Sequence, residues 1–169
     1  SCLYPMSILN GEGAHCEFTG VTFAGKGQYL DTGSKVVHNA PHTTSNINSK
    51  SISKDGGVCI YRGIVVINEC AEGSKSNVSC ESLMLDEQSQ SDTIPAIVIK
   101  NDNVDLGHEA KIGRISDEAI FYLMSRGLSE DEARAMLVRG FVDPVSKALP
   151  LEYAVEMNNL INLELKGSM

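Results

Sequence analysis

The sequence predicts a mainly β protein with a small α-helical subdomain at its C-terminal end. Before residue 116 the apolar positions alternate as they do in strands, and no stretch of that part has helical spacing. From Ser116 onward the apolar residues recur at helical spacing. We therefore expect a β unit over residues 1–115 and a helical unit over residues 116–169.

Residues 1–37 contain short alternating runs that are interrupted by glycines, which is typical of short strands joined by tight turns. GxG pairs occur in this region, at Gly11 and Gly13 and at Gly25 and Gly27. A phosphate-binding loop needs a helix N-terminus behind it, and no helical stretch follows these glycines. The pattern therefore argues against a dinucleotide site.

Residues 38–57 are rich in Ser, Thr and Asn and resemble a linker in composition. Strand-like segments flank them on both sides, so we expect a polar rung of a sheet instead. His38 and His42 lie four residues apart, as metal ligands on a helix do, but Pro41 and the β-branched residues after it disfavour a helix. We expect both histidines to make hydrogen bonds at the surface.

From Val58 the strands become more apolar. Four segments follow one another: VCIYRGIVVI, NVSCESLML, TIPAIVIK and VDLGHEAKI. Runs such as IVVI are apolar on both faces, as in strands that are covered on both sides or stacked in a solenoid. Because no helix is available to connect parallel strands, a β-sandwich, a jelly roll and a β-helix all remain possible.

Three helices are expected after the strands. Ser116 is a suitable N-cap for the first, and Ser129 with Glu132 forms a capping box for the second. We expect an apolar stripe of these two helices to be core, namely Phe121, Leu123, Met124, Met136, Leu137 and Phe141. A break is expected at Asp143-Pro144. The third helix begins at Pro150, and its apolar positions are Leu151, Val155, Leu160 and Leu163.

Composition excludes several classes of function. The 169-residue chain has a formal net charge of -8, which argues against nucleic acid or an anionic membrane as the main partner. No apolar run is long enough to span a bilayer and no signal peptide is recognisable, so we expect a soluble, cytoplasmic protein, or an organellar one in a plastid-bearing source. The chain opens without Met, as a fragment of a longer protein would. Five cysteines without short paired spacing indicate neither a disulfide framework nor a zinc site.

Several segments together resemble a known family. They are GEGAHCEFTGVTFAGKGQYLDTGSKVVHNAPHTTSNINSKSIS, YRGIVVI, CESLML, GHEAKIGRISDEAIFYLMSRGLSEDEARAMLVRGF and PLEYAVEMNNLINLELKG. The chain is similar over essentially its whole length to the C-terminal portion of the SufB/SufD family, which assembles iron–sulfur clusters, and to SufB in particular. SufD, the paralogue, shares the helical block, so the distinction between the two rests on fewer residues.

The resemblance implies a right-handed parallel β-helix followed by a helical subdomain. It also implies that the β-helix pairs with SufD or with a second copy, and that the helices dock on the ATPase SufC. In this family ATP hydrolysis resides in SufC, so the chain itself would be a scaffold and not an enzyme. Full-length members also have an N-terminal helical domain and earlier rungs.

By the resemblance, the essential assembly cysteine is Cys80, and a nearby acidic residue is Glu109, with His108 beside it. A thiolate is a soft ligand that suits iron–sulfur chemistry. Strand alternation places His108 on the inward face with Leu106 and Ile112, and Glu109 on the outward face. Two phases remain open for Cys80. If Leu83 and Leu85 point inward, Cys80 points outward and can meet Glu109; the opposite phase buries Cys80 with Met84.

For the ATPase contact, the resemblance points to the flanks of the helical stripe: Arg126, Gly127, Arg139, Gly140, Asp143 and Pro144. Cys59 and Cys70 are interpreted as structural. A transient iron–sulfur cluster is the expected cofactor; reduced flavin is linked to full-length members, but no residue here supports it. Two other classes remain open, a thiol enzyme that uses Cys80 with His108 and Glu109, and a SufD-like solenoid that only mediates assembly.

Overall fold

The computed structural model describes residues 1–166, in which ten strands precede three helices. The strands are β1 (Cys2–Leu3), β2 (Met6–Leu9), β3 (His15–Ala24), β4 (Tyr29–His38), β5 (Thr44–Ser53), β6 (Val58–Ile67), β7 (Lys75–Met84), β8 (Gln90–Thr93), β9 (Ala96–Ile99) and β10 (Asp105–Arg114). The helices are α1 (Asp117–Ser125), α2 (Glu130–Ala148) and α3 (Leu151–Lys166). Within residues 1–166, no helix is long and apolar enough to cross a membrane.

The strands form two sheets in which every pairing is parallel. Sheet A contains β1 and β2 beside β4, then β6, then β8 and β9; sheet B has the order β3-β5-β7-β10. The chain alternates between the sheets and so makes four turns of a parallel β-solenoid. This result confirms the β-helix and rules out the sandwich and the jelly roll, whose strands are antiparallel.

Equivalent positions of successive turns stack in rows across each sheet. In sheet B one inner row is Phe18, Ile47, Val78 and His108. Ile47 and Val78 are buried in the central core, to which sheet A contributes Val36, Val65 and Ile67, among others. The short turns between the sheets allow parallel pairing without crossover helices, which is why the β unit needs none.

A hydrogen-bonded polar cluster lies inside the solenoid around His38, whose side chain is fully buried. Its Nδ1 lies 2.8 Å from Thr43 Oγ1, and its Nε2 lies 2.9 Å from Ser45 Oγ. Ser45 Oγ lies in turn 2.8 Å from Ser76 Oγ. The polar rung predicted for residues 38–57 is therefore confirmed as strand β5. The surface position predicted for His38 is wrong. The ring can be buried because the hydroxyls of Thr43 and Ser45 form hydrogen bonds with both of its nitrogens.

The helices pack on the outer face of sheet B. Their core consists of Ile52, Leu85 and Ile115 from the strands and their ends, and Ile120, Ala133, Val138, Val142 and Ile161 from the helices. Lys54, just after β5, donates from Nζ to the carbonyl oxygen of Leu165 at 3.0 Å. A carbonyl at the end of α3 is thereby capped, and the last helix is held against the solenoid.

Both predicted helix starts are confirmed. Ser116 accepts a hydrogen bond from the backbone of Ala119, and Ser129 and Glu132 form a complete capping box. The predicted break at Asp143-Pro144 is wrong, because α2 continues through Pro144. Val142 and Val145 on either side of the proline are buried, and their packing holds the helix together where a backbone hydrogen bond is missing.

The apolar stripe expected to be core is only partly buried. Leu123, Leu137 and Phe141 pack against the helical core, whereas Phe121 is 74% exposed and Met124 and Met136 are also exposed. In α3 the predicted apolar positions Leu151, Val155, Leu160 and Leu163 are all exposed. The opposite side, with Ile161, Met157 and Leu165, makes the contact. Apolar residues surround much of this helix, so spacing alone selects no buried face.

Candidate functional site

Cys80 lies on the inner face of β7, between Ser49 of β5 and Ala110 of β10. Its side chain is only 2% exposed, and burial raises the pKa of its thiol to about 11. The phase that buries Cys80 is thus the one adopted. In this state the sulfur is a neutral thiol, because the interior disfavours the thiolate.

Tyr61 of β6 belongs to the same buried cluster as Cys80. Its hydroxyl lies 2.7 Å from Ser34 Oγ in the interior, and burial raises the pKa of the phenol to about 12. A Cβ built on Gly63 would lie 3.3 Å from the Tyr61 ring, so the glycine leaves the space that this ring fills. Tyr61 is not predicted as a site residue from the sequence, since one aromatic residue in an apolar strand gives no separate signal.

His108 lies on the same face of sheet B as Cys80. It pairs with Val78, two residues before Cys80 on β7, so the two backbones are diagonal neighbours about 8 Å apart. The inward direction predicted for His108 is confirmed by this register. Its side chain is nevertheless exposed, because β10 is the last strand of sheet B and the end of the solenoid is open.

Glu109 points to the opposite face of β10, as predicted. It pairs in register with Ser79, and its carboxylate lies 2.8 Å from the amine of Lys111. Both side chains are more than half exposed, so this ion pair is a weak surface contact. The sheet separates Glu109 from Cys80, and the structure brings together only Cys80 and His108 of the three predicted residues.

Two donors are too few to hold an iron–sulfur cluster by themselves. Within residues 1–166 no group of three or more His, Cys, Asp or Glu side chains is arranged to hold a metal ion. A cluster built at Cys80 would therefore need ligands from sulfide, solvent or another chain. The open end of the solenoid beside His108 is where such ligands can approach.

The six residues proposed for ATPase docking lie at the end of α1 and along α2. Arg126 caps α1 and stacks on the ring of Tyr122 at 5.2 Å, while Gly127 follows it with a φ of +98°. Arg139 donates from Nε to Asn162 Oδ1 of α3 at 3.2 Å. These contacts connect neighbouring helices and turns of the bundle.

The remaining three docking residues lie along α2. Gly140 is exposed, and Asp143 forms an ion pair with Lys147 at 2.6 Å. Pro144 lines a groove between α2 and sheet B that also contains Lys50 and Glu81. The proposed residues are thus divided between the tip of α1 and the length of α2.

Beside Arg126, α1 exposes three large apolar side chains that the sequence analysis assigned to the core or did not single out. They are Phe121, Tyr122 and Met124, with exposed fractions of 74%, 56% and 41%. Exposed apolar groups beside a charged one are typical of protein interfaces. Their signal in the sequence is the apolar character of α1 on more than one side.

Comparison with known proteins places the chain among relatives of one kind. The family model described as "SUF system FeS cluster assembly, SufBD core domain" matches residues 1–141. Iron–sulfur cluster assembly SufBD family proteins of Staphylococcus saprophyticus and Staphylococcus haemolyticus are each 55% identical over 98% of the chain.

The iron–sulfur cluster assembly protein SufB of Bacillus subtilis is likewise 55% identical over 98% of the chain. The chain spans 36% of the length of each of these relatives. The chain belongs to the SufBD family of iron–sulfur cluster assembly proteins.

Proposed function

We propose that the chain acts as a SufB-like scaffold on which an iron–sulfur cluster is assembled and from which it is transferred. The observation that carries the proposal is the placement of Cys80 and His108 on one inner face, on adjacent strands, at the open end of the solenoid. Thiolate and imidazole are both ligands of iron–sulfur centres. Cys80 would hold the nascent cluster, and His108 would offer a second, releasable donor.

Access to Cys80 requires movement of the last turn. Among residues 1–166, only Ala110 of β10 lies beyond Cys80 in its row, and no further strand pairs with β10. On sheet A the last turn is split into β8 and β9 on either side of Ile94 and Pro95. An edge of this kind opens at lower cost than a central strand, because it has fewer contacts to lose. Opening would also hydrate the sulfur, so that the thiol can release its proton to solvent as iron binds the thiolate.

The missing ligands would come from a second chain at the open end. The last turn exposes Ile97, Ile99 and Ile112, and the free edge of β10 offers unpaired backbone groups. Glu109 would meet such a partner from the outer face. We propose SufD or a second copy of the chain as this partner.

Cluster transfer would be driven by a SufC-type ATPase that docks on the helices, and the chain would carry no catalytic site of its own. Arg126 and the exposed side chains of α1 would form one contact, and Gly140, Asp143 and Pro144 of α2 a second. Arg139 and Gly127 would act through the helix positions that they fix. This division refines the docking residues expected from the sequence.

The first test is anaerobic reconstitution with ferrous iron and sulfide, followed by visible absorption. We expect Cys80→Ala to lose most of the cluster absorption, whereas Cys59→Ala, a change at an equally buried thiol, keeps it. Cys59 donates its Sγ hydrogen to the carbonyl of Ile52 and lies on β6 of sheet A, not on the sheet that carries His108. Equal cluster content in the wild type and Cys80→Ala would contradict the scaffold role and favour a SufD-like assembly protein.

The ATPase contact is tested by calorimetry with a SufC-type protein. Phe121→Asp and Arg126→Glu are expected to weaken binding at least about tenfold, since each removes or reverses an exposed interface group. Lys26→Glu, in the loop between β3 and β4, is the control and should bind like the wild type. Wild-type affinity of both helix variants would rule out α1 as the docking element.

A further inference from the structure

The outer face of sheet A carries an exposed apolar surface that the proposed function does not use. Two rows cross the four turns on this face, and we call them together the sheet A patch. One row contains Met6, Lys35, Ile64 and Ala96, and the other contains Ile8, Val37, Val66 and Val98. Their neighbours Val36, Val65 and His38 point inward and are fully buried or nearly so, which fixes the patch as outward-facing.

No element within residues 1–166 covers this patch. The three helices pack on sheet B, through Ile52 and Leu83. Met6, Ile8 and Val98 are exposed to 57%, 49% and 44%. Parallel sheets are normally covered on both faces, and a contiguous exposed apolar surface of this kind marks an interface.

The dimensions of the patch fit a helix. Neighbouring rows lie two residues apart along the strands, about 7 Å, and four stacked strands span about 14 Å. A helix of about ten residues laid along the solenoid axis would cover this length. Sheet B is covered in this way, because the helices of the chain itself pack on its outer aliphatic side chains.

Lys35 indicates which charge a segment docked on the sheet A patch must carry. Its row places it among aliphatic side chains, and among residues 1–166 no carboxylate lies within ion-pair distance of its amine. Covering an unpaired ammonium is costly, so the occupant must bring an acidic residue. A second copy of the chain would bring another Lys35 to the same apolar surface, which disfavours a symmetric dimer at this face.

The relatives indicate where such a helix can come from. This chain spans only 36% of their length, so most of each relative consists of segments outside the match. We propose that the sheet A patch is the docking surface for an amphipathic helix, with one acidic residue in its apolar stripe, supplied by those segments of the longer SufB-type protein. This assignment does not depend on the role of Cys80.

The test compares the chain alone with a graft in which it replaces the matching segment of the Bacillus subtilis SufB. Hydroxyl-radical footprinting should label Met6, Ile8 and Val98 strongly in the chain alone, and the graft should lose most of that labelling. Met136 of α2, exposed to 48%, is the control and should stay labelled in both. Equal labelling of the patch in chain and graft would overturn the proposal. Protection that grows with the concentration of the chain alone would assign the surface to a second copy instead.

Charge variants of Lys35 test the acidic residue. In the graft, Lys35→Glu should restore labelling of the patch, because two carboxylates would meet in an apolar contact, whereas Lys35→Met should keep the protection. Neither variant should change the labelling or the circular dichroism of the chain alone. If Lys35→Glu stays protected in the graft, the acidic partner does not exist.

A second measurement avoids dependence on a well-folded graft. The remaining segments of the Bacillus subtilis protein, prepared as a separate polypeptide with a fluorophore at its N-terminus, are titrated with the unlabelled chain. Saturable binding that Lys35→Glu weakens at least about tenfold is expected, since an ion pair would become a repulsion. Absence of binding, together with an unprotected graft, would reject the surface as an intramolecular contact.

Discussion

At the scale of single residues, burial decides which cysteines of this chain can react. Cys59 and Cys80 are nearly inaccessible and burial raises the pKa of both thiols to about 11, whereas Cys2 and Cys70 are exposed. Alkylation requires an accessible thiolate. Reactivity in the native state therefore reports whether the last turn is closed over Cys80.

We predict that iodoacetamide at pH 8 alkylates Cys2 and Cys70 at least about a hundredfold faster than Cys80, because Cys80 is both buried and protonated. Mass spectrometry of the digested protein measures each rate. Cys59 is equally buried and lies beside Ser91 of β8 on sheet A, so its rate reports opening of the last turn on that side. Alkylation of Cys80 at the rate of Cys70 would mean that the last turn is already open in the free chain.

His38 makes stability depend on pH. Burial lowers the pKa of its imidazole below 6.5, so the unfolded chain binds the proton more tightly than the folded chain does. The contribution of neutral His38 is complete above pH 6.5 and is lost as the pH falls from 6.5 toward the lower pKa of the folded state. We predict that the free energy of unfolding of the wild type falls between pH 7 and pH 5.

His38→Asn should remove most of this slope at the expense of overall stability, because the amide cannot be protonated in this range and reaches fewer of the hydroxyls. Urea unfolding at pH 7, 6 and 5 measures the slope. His15→Gln serves as the control, since His15 is exposed and its change should leave the slope intact. A wild-type slope that persists in His38→Asn would assign the acid sensitivity to other groups.

The orientation of Cys80 was not predictable from alternation. At the end of β7 the inner face is lined by Ser82, while Leu83 on the outer face is partly buried under the helices. Apolar and polar residues therefore do not separate inside from outside where a second layer covers the sheet. The faces of His108 and Glu109 were predicted correctly, because Leu106 in β10 and Val104 just before it pack against the core and mark the inner face.

At the scale of elements, α2 contains a local weakness. Gly140 lies in the interior of this helix, and a Cβ built on it meets no atom within 4 Å. Glycine in a helix interior is less favourable than alanine by about 0.5–1 kcal/mol. Gly140→Ala should therefore raise the free energy of unfolding by roughly this amount, which urea denaturation would detect.

Gly33 provides the opposite case and serves as the control for this prediction. A Cβ at Gly33 would collide with the carbonyl oxygen of Arg62 in the neighbouring strand, so Gly33→Ala should destabilise the solenoid. If Gly140→Ala instead lowers the free energy of unfolding, then the folded protein requires glycine at this position of α2.

Element starts were predictable and element faces were not. The hydroxyls of Ser116 and Ser129 act locally, within one turn of helix, so the sequence identifies them directly. The buried side of α3 and the continuity of α2 through Pro144 depend on packing against other elements. Tertiary contacts outweigh local preference at both places.

At the scale of the whole molecule, the sequence predicted an order of strands followed by helices but not their arrangement. A solenoid, a sandwich and a jelly roll all use short strands with apolar alternation, and pairing between residues about thirty positions apart leaves no local signal. The family resemblance supplied the β-helix. The parallel registers, such as Thr44 beside Lys75, confirm it.

The solenoid and the helices meet through Ile52, which is fully buried on the outer face of β5, while Ile47 of the same strand is fully buried on its inner face. Truncating either isoleucine to alanine should cost about 2–5 kcal/mol. The consequences differ by place. Ile52→Ala should loosen the helices first, so amide exchange accelerates in α1–α3 while the strands stay protected. Ile47→Ala weakens the inner core of the solenoid, so amide exchange should accelerate in strands and helices together.

Mass spectrometry measures the exchange pattern of each variant. Identical patterns for the two variants would show that the solenoid and the helices unfold as one cooperative unit. In that case the helices could not move on an ATPase without disturbing the strand that carries Cys80.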